Sequence, residues 1–188
     1  MNIFVLHDNP IIAAKYQCDK HVVKMILESG QMLSTAHRVL DGDEYVELSK
    51  NNRRLKRWRL PDQREDMLYK ASFVGHPCTQ WVMENQSNYL WLGTHAYELC
   101  MEYTRRYDRV HKATDLLDFL RYNMPHNLPS GPLTPHAQAM PDIFKAPEAV
   151  TAYRNYYNGA KARIAKWKNS PQPYWFSGSF VHSEPEPA

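Results

Sequence analysis

His21, Lys24, Glu28, Gln31 and Thr35 recur every three or four residues, so at 100° per residue they share one stripe of a helix. A carboxylate, a cation and an imidazole aligned in this way suit acid–base chemistry on an anionic substrate. Glu28 would act as general base or stabilise a cationic transition state, Lys24 would hold a phosphate, and His21 would exchange protons, with Gln31 as a further substrate contact. The plainer alternative is a Lys24–Glu28 pair on a solvated face, worth about 0.2–0.5 kcal/mol. Against it, His, Gln and Thr add little helix propensity, so a merely solvated stripe has no need of them.

Other residues could complete a site. His76 precedes Pro77 at a helix start, where unpaired N–H groups attract anions; its ring would grip phosphate or simply cap the helix. Cys18 with His21, and His76 with Cys78, add up to four possible zinc ligands, but their spacing is not that of a zinc knuckle, and no metal or cofactor is expected. His136 and Gln138, in TPHAQAMP, are loop residues that a substrate could reach. Arg154 and Lys161, read as two turns apart on one helix, would bind a phosphate between them, with Tyr157 as a neighbouring contact. Tyr153 and Tyr157 also share the apolar stripe of Val150 and Ile164, which is the pattern of core residues. Glu102 is a second carboxylate candidate, although Glu98, Glu102 and Arg106 have the spacing of helix salt bridges.

The elements that must carry these groups read as helical. Asp19 to Leu40 has Val22, Val23, Ile26, Leu27, Leu33 and Val39 at helical spacing, with Asp19 as N-cap. Pro77 opens one long helix, or two joined near Gly93, ending about Tyr107; Thr114 caps a short helix to Tyr122, and a last helix runs from about Pro147 to Lys168. Asn2 to Leu6 could be a strand but has no evident partner. Six of the 13 prolines fall between Met124 and Pro147, which makes that stretch a long loop over the helices. The expected fold is a compact all-α domain over 1–176, with a polar, loop-like insertion at about 41–66 and a disordered tail over 177–188.

Composition narrows the setting. At 188 residues, 43% hydrophobic and 12% aromatic, the chain has enough apolar surface for one core. No apolar run approaches the roughly 20 residues of a membrane span, and three widely spaced cysteines suit a reducing, cytoplasmic compartment. Lys50, Arg53, Arg54, Lys56, Arg57 and Arg59 form an acid-free decapeptide, and without it the net charge of +3 would turn negative. Such a patch fits phosphates, with Trp58 available to stack on a base, or is a solvated basic loop. The partner is thus anionic: nucleic acid or a small phosphorylated nucleotide.

CDKHVVKMILESGQMLSTAHR, GHPCTQWV, ELCMEYTRRYDRVHK, LTPHAQAMPDIFK and AYRNYYNGAKARIAKW resemble a family of small proteins of tailed bacteriophages. More distantly, through the early helix and the His76-Pro77-x-x-x-Trp81 segment, the chain is similar to pyrimidine-dimer DNA glycosylases. That resemblance implies N-glycosidic bond cleavage in DNA repair or base processing, through a processed N-terminal amine that forms a Schiff base beside a glutamate, a role Glu28 matches. The chain departs from the pattern at its start, because Asn2 is too large for routine removal of Met1, and the expectation is therefore water attack assisted by Glu28. Two other classes stay open: a phage counter-defence protein that cleaves or sequesters a cyclic nucleotide, and a non-catalytic nucleic-acid-binding accessory protein.

Overall fold

The structure, a computed structural model, describes residues 1–181. In chain order its elements are α1 (Pro10–Tyr16), α2 (Asp19–Asp41), β1 (Asp43–Leu48), β2 (Arg54–Arg59), α3 (Arg64–Met67), α4 (Pro77–Glu84), α5 (Gln86–Tyr107), α6 (Thr114–Tyr122) and α7 (Ala149–Asn158). The fold is therefore mostly helical, and the all-α expectation is corrected by one antiparallel hairpin in the insertion.

α5 lies at the centre, packed on α1, α2, α4 and α6. α2 turns Val22, Met25, Ile26, Met32, Leu33 and Ala36 into the core, whereas Val23 and Leu27, which the apolar count placed with them, remain exposed. Cys18 rather than Asp19 is the N-cap residue; Asp19 opens the helix, and its carboxylate takes Arg106 and the Lys168 N–H. The α4–α5 break falls at Asn85, not Gly93. Asn85 is extended and its side chain accepts from the Asn88 N–H, a capping geometry that starts a new helix. Gly93 lies inside α5, where α6 comes so close that a Cβ would meet Arg121 Cα at 3.2 Å. α1 was legible but unread: Asn9 caps the Ile11 and Ile12 N–H groups, and Pro10 takes the first helical position.

The hairpin arises from opposite charge on two alternating segments. β1 is acidic and β2 basic, Glu44 pairs with Lys56 at 3.0 Å and Glu47 with Arg57 at 2.9 Å, each on the cross-strand diagonal. Arg38, buried on α2, ties it down: its five N–H donors reach Tyr69 O, Trp58 O, the Glu65 carboxylate, Glu65 O and Leu68 O. Trp58 is accordingly half-buried at the root of the hairpin.

Ile3 to Leu6 is buried in the core without being a strand. Its backbone is satisfied by side chains instead: Gln17 Nε2 donates to Ile3 O at 2.8 Å and Arg154 Nε to Leu6 O at 3.1 Å. The proline-rich loop is pinned along its length by Ser87 to Gly131 O, Asn88 to Thr134, and Gln138 to Ala146. The last helix is shorter than expected, since Gly159 caps α7 and Lys161 lies beyond its end. Ser177 N donates to Asn158 Oδ1 at 2.8 Å, and the rest of the expected tail, 182–188, lies outside the described residues. No helix among the described residues is long and apolar enough to cross a membrane.

Candidate active site

The buried N-terminal segment delivers Met1 and Asn2 to the polar stripe of α2. There Met1, Asn2, Phe4, His21, Lys24, Met25 and Glu28, with Ala139, Tyr156 and Lys161, line a pocket of about 220 Å³. Asn2 is the anchor: its Nδ2 donates to Ala139 O at 2.7 Å, and its Oδ1 accepts from Tyr153 OH at 2.8 Å and from the Ile3 N–H at 2.8 Å. The Met1 side chain is buried with 1% exposure, and its sulfur accepts from Thr79 Oγ1. Phe4, in the left-handed region at φ 59°, turns its ring onto His21 at a 4.0 Å centroid distance.

Glu28 is the focus of the pocket. Its Oε2 accepts the Asn2 backbone N–H at 2.9 Å and lies 3.7 Å from the Met1 amino nitrogen, while Oε1 pairs with Lys24 Nζ at 3.2 Å. The carboxylate is only 12% exposed, against 67% for the Lys24 side chain. Lys161 Nζ stands over the Tyr156 ring at 4.6 Å and the Phe4 ring at 5.9 Å. A largely buried carboxylate, an amine and two lysines thus line one small cavity, an arrangement with the charges needed to hold an anion and to stabilise positive charge beside it.

His21 is placed in the pocket but not as a proton shuttle at neutral pH. Burial first, then the charges of Lys161 and Lys24, lower its pKa to about 3. Burial keeps the Tyr157 phenol protonated, and its oxygen shares a hydrogen bond of 2.5 Å with His21 Nδ1. Tyr157 is completely buried and positions His21 from behind, which corrects its assignment as a substrate contact.

The other candidates separate. His76 caps α4, its Nδ1 accepting from the Cys78 N–H at 3.2 Å; its pKa is lowered by burial and by the Met1 amine, with Glu28 opposing, so it adjoins the pocket as a structural residue. Gln31 shares the α2 stripe but does not line the pocket. His136 and Gln138 line a different cavity of 330 Å³ with Asp8 and Val150. There His136 is stacked on Trp81 at 4.5 Å, and Gln138 is occupied with Ala146. The Arg154–Lys161 phosphate clamp is corrected: Arg154 turns to Leu6 O and the Trp175 ring, and the end of α7 sends Lys161 the other way.

Glu102 is buried between Arg105 and Arg106. It lines a groove of about 430 Å³ beside Tyr16 and Tyr174, but its charge is already consumed by the two arginines. All three cysteines are buried and free, and among the described residues no group of three His, Cys, Asp or Glu side chains could hold a metal ion.

Sequence reasoning missed Phe4, Met25, Ala139 and Tyr156, of which only the Tyr156 phenol carries chemistry of its own, and it underrated Met1. The burial of Ile3 to Leu6 was visible as an apolar run, but its consequence for the Met1 amine depends on tertiary contacts. Compared with known families, residues 1–115 match the one described as pyrimidine dimer DNA glycosylase. No curated protein and no solved structure matches.

Proposed function

Since the chain belongs to the pyrimidine dimer DNA glycosylase family, we propose that the Glu28 pocket cleaves the N-glycosidic bond of a damaged nucleotide in DNA. The observation that carries this reading is the Glu28 carboxylate held between the Asn2 N–H and the Met1 amine. The amine lone pair attacks the sugar C1′, and the bond from C1′ to the base breaks with its electron pair going to the base. Glu28 accepts the proton the amine sheds and passes it to the ring oxygen O4′ as the sugar opens to a Schiff base, and the regenerated carboxylate stabilises the iminium cation. Lys24 and Lys161 offer positive charge to the flanking phosphates. The objection from the size of Asn2 concerned removal of Met1. With Met1 retained and its side chain buried, its own amine occupies the place beside the glutamate.

The test is borohydride trapping on duplexes carrying a thymine dimer or an abasic site. A covalent adduct mapping to Met1 is expected, and it should vanish when the protein carries an extra residue ahead of Met1. An alkali-labile site at the dimer without an adduct would return the reaction to water attack assisted by Glu28. Absence of both an adduct and an alkali-labile site at the dimer would overturn the glycosylase reading for this chain.

A further inference from the structure

The insertion between α2 and α3 is a ribbon of two strands that does nothing for the pocket chemistry, and its charge is distributed unevenly. Near the root and middle the cations are engaged: Lys56 with Glu44, Arg57 with Glu47, and Arg59 over the Tyr45 ring at 5.1 Å. Lys70 also lies 4.0 Å from Glu47. At the tip, Lys50, Arg53 and Arg54 are exposed and have no ion-pair partner among the described residues. The turn that presents them is ordered by its own bonds, Arg53 N to Ser49 Oγ at 3.0 Å and Asn52 N to Ser49 O at 2.9 Å. Val46 and Leu48 of β1 are exposed apolar side chains at 48% and 61%.

The hairpin stands on the pocket's side of α2. Lys24, Glu28, Gln31, Thr35 and Arg38 continue one stripe at spacings of four and three, and Arg38 is the residue that holds Trp58 O. From there Tyr69 to His76 runs back along the same stripe: Tyr69 O on Arg38, Ser72 on Thr35, and His76 next to the charges of Met1 and Glu28. The hairpin rests on this segment through Arg57 to Ala71 O at 3.4 Å. Arg38 is ten residues from Glu28, about 15 Å along the helix axis. That span equals four or five base-pair steps of about 3.4 Å.

We propose that the β1–β2 hairpin is a docking arm for duplex DNA, in which a duplex crossing the Glu28 pocket lays its phosphates against Lys50, Arg53 and Arg54. The inference rests on the glycosylase reading for its substrate. A two-stranded ribbon is narrow enough to enter the major groove, and unpaired cations at its tip complement the phosphates bordering that groove. The arm supplies affinity without sequence preference.

The experiment is fluorescence anisotropy of an undamaged duplex of about 25 base pairs, from 50 to 200 mM salt, with the full chain and the variant K50Q/R53Q/R54Q. Three phosphate contacts contribute about 2.7 to the slope of log affinity against log salt, so the natural chain should lose about 40-fold more affinity than the variant over this range. The single charge reversal Arg53→Glu, at one exposed turn position, should lower the slope by about 1 or more. Unchanged slopes in both variants overturn the proposal, as does a change seen with single-stranded DNA or RNA but not with the duplex. If the natural chain forms neither a trapped adduct nor an alkali-labile site at a thymine dimer while the slopes differ, the glycosylase reading fails and the docking arm stands.

Discussion

The Met1 amino nitrogen lies 3.7 Å from Glu28 Oε2, the same oxygen that takes the Asn2 N–H at 2.9 Å. Two consecutive backbone nitrogens therefore converge on one carboxylate oxygen, and Lys24 occupies the other. Glu28→Gln keeps the volume and an oxygen for the Asn2 N–H but removes the charge that would take the proton and stabilise the cation. Turnover should fall about a hundredfold or more, within the range typical of a lost acid–base group, while circular dichroism stays unchanged. A variant that keeps half of the natural activity would leave the α2 stripe as a solvated face.

Retention of Met1 is a separate expectation. The bulk of Asn2 disfavours excision of Met1, whose side chain is buried with its sulfur bonded to Thr79. Intact-protein mass spectrometry should show the methionine present. A species lighter by one methionine would hand the amine to Asn2, whose nitrogen is the closer of the two to Glu28.

What could be read from the sequence follows from the range of the interactions. α2 and α6 are local: period and first-turn residues place them with little ambiguity. The stripe bearing Glu28, Lys24 and His21 was likewise readable, because helical spacing alone aligns it. The hairpin was missed because its stabilising pairs, Glu44 with Lys56 and Glu47 with Arg57, are cross-strand, and acid and base on separate segments look like loop polarity when read linearly. Lys161 was placed in the pocket for a reason that fails, since the helix thought to align it with Arg154 ends at Asn158. The Met1 amine was the hardest to foresee. Its position depends on Asn2 bonding Ala139 and Tyr153, contacts 137 and 151 residues away.

Arg106 is predicted to be a keystone of stability with no part in the chemistry. It is 1% exposed and donates to Gln17 O, Lys15 O, Asp19 and Glu102, joining α5 to the α1–α2 junction. Arg106→Met leaves the buried Glu102 with only the more exposed Arg105, and should cost about 3–5 kcal/mol in urea unfolding. Glu102→Gln should keep base release within about twofold of the natural rate at full occupancy, because its groove is not the Glu28 pocket. Loss of turnover in a folded Glu102→Gln protein would return that carboxylate to the list of catalytic candidates.

Stability should fall steeply with acid well before the carboxylates titrate. His37 is buried with Arg64 Nη1 at 3.0 Å on its Nδ1, and its pKa is lowered to about 4 by burial and then by that guanidinium. His95 accepts from Gln17 Nε2 at 2.9 Å on one nitrogen and donates to Pro10 O at 3.0 Å from the other, so its neutral form is fully bonded; burial lowers it to about 4. His136, between Trp81 and Trp91, is also lowered to about 4, and His21 to about 3. Each ring has a depressed folded value, so its contribution is whole above the unfolded value of about 6.5 and is lost as pH falls toward 4 or 3. In that window the unfolded chain binds a proton that the folded one does not, which costs about 1.4 kcal/mol per pH unit for each histidine. Urea midpoints measured from pH 7 to 4.5 should therefore fall throughout, and His95→Gln should remove about one proton from the slope. A midpoint that is flat between pH 6.5 and 5 would mean that these rings carry their charge inside the fold.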